Sequence, residues 1–354
     1  MKPNKITSLQ YSTITFFLLN SFLMNVGYHT LTSRSYNDSI LDILLGGILI
    51  LLFSIFLFTF QRNKKDSILD TIRKYFPKIV QIPILFLLLI MIGFSSIYSL
   101  SILTSFIHYY ILKEVEYFII LITLTCTILY IVSKGIATIG KVSEIFFYIY
   151  MLIFIISAFG LMKYMDLSNL KPLFTMDMKS HFHSSITYFL SSIIPLFLLT
   201  IIPSKQVEFE TKNKKLPYLF IFLSILLAFI QLLFIISVLG IHLTNIYSLP
   251  DMVIYKKISV LNVLERIEVI LAFNNLLNSL FFIMVGIYFA KEIIGYFISK
   301  KKEHIILALI GIICVLLSNF LLNTLTLYLQ ISILLFIILG IFIMIHYLSK
   351  YIRS

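Results

Sequence analysis

The sequence predicts an all-α polytopic membrane protein with ten transmembrane helices, and three observations support that fold class. Hydrophobic residues make up 60% of the 354 residues and charged residues only 12%, about half the charged fraction of a soluble domain. Apolar runs long enough to cross a bilayer, which needs about 20 residues, recur along the whole chain. Lysine and arginine concentrate in alternate connections between these runs, as the positive-inside rule expects.

The apolar runs leave no room for a sizeable soluble domain, so we expect residues 1–354 to form a single transmembrane domain. Lys2 and Lys5 precede the first run, but that run has full length and lacks a small-residue cleavage site. We therefore interpret it as the first spanning helix rather than as a signal peptide. The ten runs lie at residues 9–31, 39–60, 79–110, 117–133, 142–162, 184–203, 217–240, 264–290, 304–322 and 326–349.

The basic residues predict that both termini lie in the cytoplasm. Most of them fall at the two termini and in the connections 61–78, 134–141, 204–216 and 291–303, which all belong to one side. This asymmetry also favours an even number of spans. We therefore interpret the net charge of +12 as a topology signal and as contact with anionic lipid of the bilayer, not as a nucleic-acid-binding surface.

Ten spans divide into two halves of five that start in opposite directions. Residues 1–162 and 163–354 are therefore predicted to be two five-helix repeats of inverted topology. Transporters often have this architecture, and their ligand site lies where corresponding helices of the two repeats are interrupted near the middle of the membrane.

Both first helices of the predicted repeats contain such an interruption. The sixth span includes SSIIPLF, in which Pro195 has no backbone N–H to pair with the Ser191 carbonyl, beside the hydroxyls of Ser191 and Ser192. Polar or small residues interrupt the first span in the same way, and they are Asn20, Ser21, Asn25 and Gly27. A proline kink in the sixth span and hydrogen bonds from the two asparagines to neighbouring helices would explain the same pattern without a ligand.

Other polar side chains within the spans are candidates for ligand contact or for structural pairing. Asn274 and Asn278 in the eighth span are four residues apart and share one helix face, which fits either a ligand or a bond between helices. Four ionisable residues near the starts of the fifth and eighth spans are predicted to form structural or gating ion pairs: Glu144, beside Lys141, and Glu265, Arg266 and Glu268.

The sequence does not indicate an enzyme, a cofactor or a metal site. It contains no nucleophile with its base, no phosphate-binding loop and no metalloenzyme motif. Cys126 and Cys314 lie singly in apolar runs, which favours neither a disulfide nor a zinc site. His181 and His183 are close together, but the sequence offers them no third ligand.

Four segments, in their order and spacing, carry a family resemblance over nearly the whole chain. They are ITSLQ at 6–10, KGIATIGKVSEIFF at 134–147, DLSNLKPLF at 166–174 and VLERIEVILAF at 263–273. They resemble the endospore germination permease family, the B subunits of spore germination receptors. That family belongs to the amino acid/polyamine/organocation transporter superfamily, so the resemblance implies a leucine-transporter-like fold with helices 1 and 6 broken. The third helix lines the ligand site in that fold, which adds Ser95 and Tyr98 to the candidates.

The resemblance implies a nutrient-sensing subunit in the inner membrane of the spore, with an A-type subunit and a C-type lipoprotein subunit as partners. A small germinant, usually an amino acid, is expected to bind near the two helix breaks and to favour one packing of these helices. The alternative is a secondary amino-acid permease coupled to protons or sodium. A conduit for ions or water that the partner subunits open is compatible with the first interpretation.

The predicted topology can be tested by cysteine labelling. Cysteine in place of Lys64 or Lys301 should react with an impermeant thiol reagent from the cytoplasmic side, and cysteine in place of Lys171 or Lys257 from the outside, because these residues lie in alternate connections. Intact cells and inverted vesicles of a variant without the two native cysteines would be compared. Labelling of all four positions from one side would contradict the two inverted halves.

Overall fold

The computed structural model confirms the predicted class, an all-α polytopic membrane protein, and describes residues 5–22, 27–64, 67–203, 206–208, 215–247, 249–258, 267–297, 303–318, 327–338 and 340. Within these residues, six helices are long and apolar enough to cross a membrane, and three shorter apolar helices accompany them. The count of ten spans and the division into two repeats remain predictions.

The helices follow the predicted apolar runs in order. The short strand β1 (Ile6–Thr7) precedes α1 (Ser8–Phe22) and α2 (Tyr28–Ser35), which together occupy the predicted first span. The remaining elements are the 3-10 helix Tyr36–Asp38, α3 (Ser39–Lys64), α4 (Ile68–Tyr75), α5 (Lys78–Phe106) with a π-helical extension at Ile107–Ile111, α6 (Tyr117–Ser133), α7 (Ile136–Met162), the 3-10 helix Leu167–Leu170, α8 (Met178–Ser191), α9 (Ile193–Leu199), β2 (Val207–Glu208), α10 (Leu216–Ile246), α11 (Pro250–Tyr255), α12 (Ile267–Phe297), α13 (Glu303–Ser318) and α14 (Leu327–Ile338).

The sixth span is interrupted as predicted, but at Ser192 rather than at Pro195. Helix α8 ends at Ser191, and the N–H of Ser192 bonds back only three residues, to the Phe189 carbonyl at 3.0 Å. Helix α9 then begins at Ile193, which makes Pro195 its third residue. An N–H in the first turn of a helix has no acceptor within that helix, so the proline fits there without a kink of its own.

Helices α1 and α9 lie in the centre of the bundle. Every residue of α9 is buried, and α1 packs against α7, α9, α10 and α12. The Phe17 ring of α1 stacks on Phe281 of α12 at a centroid distance of 4.4 Å. Helices α3, α5 and α7 instead present large apolar side chains on the outside of the bundle, among them Ile48, Phe86 and Leu152, as lipid-facing helices must.

Two adjacent glycines bring α3 directly against its neighbours. A Cβ atom on Gly46 would lie 2.7 Å from the backbone oxygen of Ser185 on α8, and a Cβ atom on Gly47 would lie 2.5 Å from a methyl carbon of Ile225 on α10. Small residues at such positions let membrane helices approach closely. The glycine pair therefore sets the distance between α3 and these two helices.

The ITSLQ segment caps α1 and ties it to α7. The N–H of Gln10 donates to the Thr7 hydroxyl, and the N–H of Thr7 donates to the Gln10 side-chain oxygen, both at 3.2 Å, which is a capping box. Gln10 Nε2 also donates to Glu144 Oε2 at 3.0 Å, and the Thr13 and Ser143 hydroxyls are 2.7 Å apart. The partner that the structure gives to the Glu144 carboxylate is the amide of Gln10, and the predicted ion pair of Glu144 stays a prediction.

The start of the chain also joins the segment that follows α9. Strands β1 and β2 pair in parallel, with Ile6 opposite Val207. Lys5 and Glu208 form an exposed ion pair at 3.3 Å. The first and sixth spans are thus connected to each other at this end of the bundle.

A buried acidic pair connects the same two spans where α3 and α8 begin. The Asp38 carboxylate accepts the backbone N–H groups of residues 174, 175 and 176 at 2.6–2.9 Å. His181 Nδ1 lies 2.8 Å from Asp42 Oδ1, and its Nε2 lies 3.6 Å from Asp38 Oδ2. His181, a weak metal candidate by sequence, therefore bridges two carboxylates.

We expect the substitution Gly46→Ala to lower the thermal stability of the purified protein, because its Cβ atom would meet a backbone oxygen that cannot rotate away. Gly93→Ala is the matched control, since no atom lies within 4 Å of its added Cβ. That control should be neutral or stabilising, because alanine is favoured over glycine in a helix by about 1 kcal/mol. Equal unfolding temperatures for the two variants would contradict the close packing of α3 on α8.

Candidate ligand site

The predicted ligand residues at the two interruptions are buried, and each bonds to its own helix. The Asn20 amide donates to the carbonyl four residues earlier at 3.1 Å, and the Ser21 hydroxyl donates to the carbonyl three residues earlier at 2.7 Å. Ser191 and Ser192 both donate to the Tyr188 carbonyl, at 2.6 and 3.2 Å. A hydroxyl that donates in this way keeps its acceptor lone pairs, so these serines can still receive a hydrogen bond from a ligand.

Further predicted ligand residues are Asn25 and Gly27 of the first span and Ser95 and Tyr98 of α5. Gly27 is buried and directly precedes α2, whereas Asn25 lies outside the described residues. Ser95 donates its hydroxyl to the carbonyl four residues earlier at 2.8 Å. The Tyr98 ring lies parallel to that of Phe94 and tilted against Tyr328 of α14. Ser95 therefore bonds within its own helix, and Tyr98 packs against one ring of α5 and one ring of α14.

The predicted ion pairs at the start of the eighth span remain predictions. Glu265 and Arg266 lie outside the described residues. Glu268 lies in the first turn of α12, and its side chain is not among those described.

A second group of polar side chains, the asparagine cluster, comprises Asn274, Asn275 and Asn278 on one face of α12. Each is at most 3% exposed. Asn274 Nδ2 donates to the Tyr150 carbonyl on α7 at 3.2 Å, and Asn275 Nδ2 donates to the Asp251 carboxylate on α11. Within the described part of the chain, the three amide oxygens have no hydrogen-bond partner, and the Asn278 amide group faces the Tyr150 hydroxyl. Unpaired buried amides are costly and rare in folded proteins, so this cluster is a candidate for ligand contact.

Tyrosines from three further elements converge near the asparagine cluster. They are Tyr28 of α2, Tyr150 of α7 and Tyr255 of α11, and each is 1% exposed. The Tyr255 oxygen accepts from Gln231 Nε2 of α10 at 3.0 Å, and the Tyr28 hydroxyl donates to the Ala228 carbonyl of α10 at 3.4 Å. The cluster therefore lies where α2, α7, α10, α11 and α12 meet.

Asp251 is a site residue that the sequence did not reveal. It is 1% exposed at the start of α11, in the connection between α10 and α12. Burial raises the pKa of the Asp251 carboxyl to about 6, although the hydrogen bond from Asn275 acts in the opposite direction. The dipeptide Pro250–Asp251 looks like an ordinary helix start. The adjacent pair Asn274–Asn275 in an apolar span was the signal that could have pointed to a polar partner.

A groove of about 340 Å³ between α5, α12 and α13 is a poor candidate for a polar ligand. Apart from Ser96, whose hydroxyl bonds to the Ile92 carbonyl at 2.8 Å, the side chains that line it are apolar. Such an apolar lining suits a hydrocarbon chain and offers a polar ligand no hydrogen-bond partners. We therefore locate the candidate ligand site at the helix interruptions and the asparagine cluster.

Comparison with known proteins gives the family. A family model described as "Spore germination protein", a spore permease model, matches residues 9–324. The chain belongs to the spore germination protein family. No curated protein matches the sequence.

The chain is also similar in backbone course to solved structures of a transporter. Three are crystal structures of single-residue variants of the manganese transporter of Eremococcus coleocola. Two match at 11% sequence identity and one at 12%, each with a TM-score of 0.48. Each match covers 97% of this chain and 72% of the transporter chain.

Helix α1 connects the two parts of the candidate site. Asn20 and Ser21 lie in its last turns. Its Phe16 and Phe17 rings pack edge-on against Tyr150 at centroid distances of 5.1 and 5.7 Å. Helix α1 therefore contacts Tyr150, whose carbonyl accepts a hydrogen bond from Asn274.

The raised pKa of Asp251 predicts a pH dependence of stability. The folded-state pKa of about 6 exceeds the ordinary value of 3.8, so the folded protein holds a proton that the unfolded chain has lost. Stability should therefore fall as the pH rises from about 4 through about 6. Unfolding temperatures at about pH 5 and about pH 7.5 should differ less for Asp251→Asn than for the unsubstituted protein. An unchanged difference would contradict a buried, protonatable Asp251.

Proposed function

We propose that this protein is the nutrient-sensing transmembrane subunit of a spore germination receptor. It binds a small germinant, most simply an amino acid, near the middle of the membrane and carries out no catalysis. The observation that carries the proposal is the family match over residues 9–324. The interruption of the sixth span at Ser192, directly before the fully buried helix α9, supports a ligand site within the membrane.

The chemistry of the interrupted spans suits a zwitterion. Because Pro195 has no N–H, the Ser191 carbonyl has no donor four residues later and can face an ammonium group. The buried hydroxyls of Ser191 and Ser192 and the amide of Asn20 add acceptors and donors around it. We place Ser21, Asn25, Gly27, Ser95 and Tyr98 around the same ligand as candidates.

Signalling follows from a shift between two packings of the interrupted helices. A ligand shifts such an equilibrium only by the difference in its affinity for the two states. A-type and C-type receptor subunits would respond to the change. We further propose that both termini face the cytoplasm and that the protein resides in the inner membrane of the spore.

Strand β1 directly precedes α1, and its partner β2 follows α9. Gln10 lies in the first turn of α1 and donates a hydrogen bond to Glu144 of α7. These contacts would transmit a movement of α1 or α9 to the cytoplasmic face in this orientation.

The substitution Pro195→Ala tests the proposed site. Alanine supplies an N–H that can pair with the Ser191 carbonyl, which favours one continuous helix over the separate helices α8 and α9. Spores that carry Pro195→Ala should contain normal amounts of the protein and should need a higher nutrient concentration to germinate. Protein abundance would be measured by immunoblot and germination by loss of optical density. Pro83→Ala, near the start of α5, is the control and should leave the dose response unchanged.

A strain that lacks the gene distinguishes a nutrient receptor from an amino-acid permease. Deletion of the gene should impair nutrient germination and leave amino-acid uptake by vegetative cells intact. Loss of uptake with normal germination would favour a secondary permease coupled to protons or sodium. A normal dose response of Pro195→Ala spores at normal abundance would remove the sixth-span interruption from the ligand site.

A further inference from the structure

The asparagine cluster contains three buried amide oxygens, and next to it lies the buried carboxylate of Asp251, whose hydrogen-bond donors are the Asn275 amide and the backbone N–H groups of Asp251 and Met252. The amide oxygens of Asn274, Asn275 and Asn278 have no partner in the described part of the chain. The Asp251 carboxylate receives the Asn275 amide hydrogen and is 1% exposed. We propose that these four side chains bind a compact monovalent cation, either an alkali ion or the ammonium group of a small amine.

The negative charge of Asp251 is not neutralised by the basic residues next to it. Lys257 Nζ donates to the Val238 carbonyl at 2.8 Å, and Lys256 Nζ lies 5.5 Å from the centre of the Tyr110 ring. Among the described residues, Asp251 forms no ion pair. An ionised carboxylate buried without a counter-charge is strongly unfavourable. A bound cation supplies that charge.

The donor set identifies the class of cation. Carboxylate and amide oxygens are ligands for hard cations, and they are equally the acceptors that the three N–H groups of an ammonium require. The site holds one carboxylate and three neutral oxygens, so a single positive charge balances it. Divalent ions of this chemistry are usually held by more than one carboxylate.

The surroundings limit the size of the cation. Tyr28, Tyr150 and Tyr255 are each close enough to Asp251 for an electrostatic interaction between the side chains, and each is 1% exposed. Large side chains therefore fill the space around the carboxylate. An alkali ion or a methylammonium ion suits this space, and a cation that bears a long polyol chain does not.

The cation site does not rest on the proposed nutrient-sensing function, and its test uses no nutrient. It takes Asn274 and Asn278, predicted above as ligands of the germinant, as ligands of the cation. Because Asp251 belongs to α11 and the asparagines belong to α12, the bound cation would hold the connection before α12 against that helix.

The test measures thermal unfolding of the purified full-length protein in detergent at about pH 7.5, above the pKa of Asp251. In a Cys126→Ser background, because Cys126 is exposed, a thiol-reactive dye reports unfolding through Cys314, which is buried in the folded protein. NaCl, KCl or methylammonium chloride would replace N-methylglucamine chloride at constant ionic strength, up to about 200 mM. At least one probe should raise the unfolding temperature by several degrees with a saturable dependence.

Three variants make the test specific. Asp251→Asn should abolish the cation-dependent shift and should still fold, because it removes a buried charge. Asn278→Leu should weaken the apparent affinity about tenfold, the effect of losing one hydrogen bond to a charged group. Glu114→Gln, at an exposed acidic residue between α5 and α6, is the matched control and should keep the full shift.

A shift with Na⁺ or K⁺ alone identifies an alkali-ion site, and a shift with methylammonium alone identifies the amino group of an organic ligand as the natural occupant. The proposal is overturned if no probe exceeds N-methylglucamine. It is equally overturned if Asp251→Asn retains the shift of the unsubstituted protein.

Discussion

The structure depends on one constraint, which is that hydrocarbon cannot solvate a backbone N–H or carbonyl group. A spanning helix can therefore be interrupted only where protein surrounds it. Helix α9 meets this condition because all of its residues are buried. Helix α1 meets it because α7, α9, α10 and α12 enclose it. The uninterrupted helices α3, α5 and α7 can then form the lipid-facing surface, since their backbones need no partner outside the helix.

The same constraint explains which parts of the fold could be predicted from the sequence. The positions of the spans follow from hydropathy because the bilayer fixes the length of an apolar run. The sixth-span interruption was predicted within SSIIPLF from Pro195, and the structure places it in that stretch, at Ser192, three residues before the proline. Side chains decide that position: the Ser191 and Ser192 hydroxyls both bond to the Tyr188 carbonyl and compete with the helical hydrogen bond there. A proline in the sequence marks a break only approximately, because the first turn of a new helix accepts it.

The candidate site was predicted where polar residues stand out against an apolar span. Asn274 and Asn278 stand out in this way, and the structure buries both with unpaired amide oxygens. Asp251 lies in a connection where a polar residue is ordinary, so only the tertiary packing of α11 on α12 reveals that it is buried. The partner that the structure gives to Glu144 is Gln10, which is 134 residues away. Contacts of this kind depend on how the helices pack and leave no local pattern.

The two connections between the interrupted spans differ in strength. Where α3 and α8 begin, Asp38 is fully buried and accepts three backbone N–H groups, and hydrogen bonds to a charged group contribute about 1.5–3 kcal/mol each. Where the chain starts, β1 and β2 pair over two residues, and the exposed ion pair of Lys5 with Glu208 contributes at most about 1 kcal/mol. If α1 rearranges against α9 as proposed, we expect the end with the strands to open first. In the proposed orientation this is the cytoplasmic end, so a ligand bound between the two spans would change the surface that faces the cytoplasm and leave the opposite end closed.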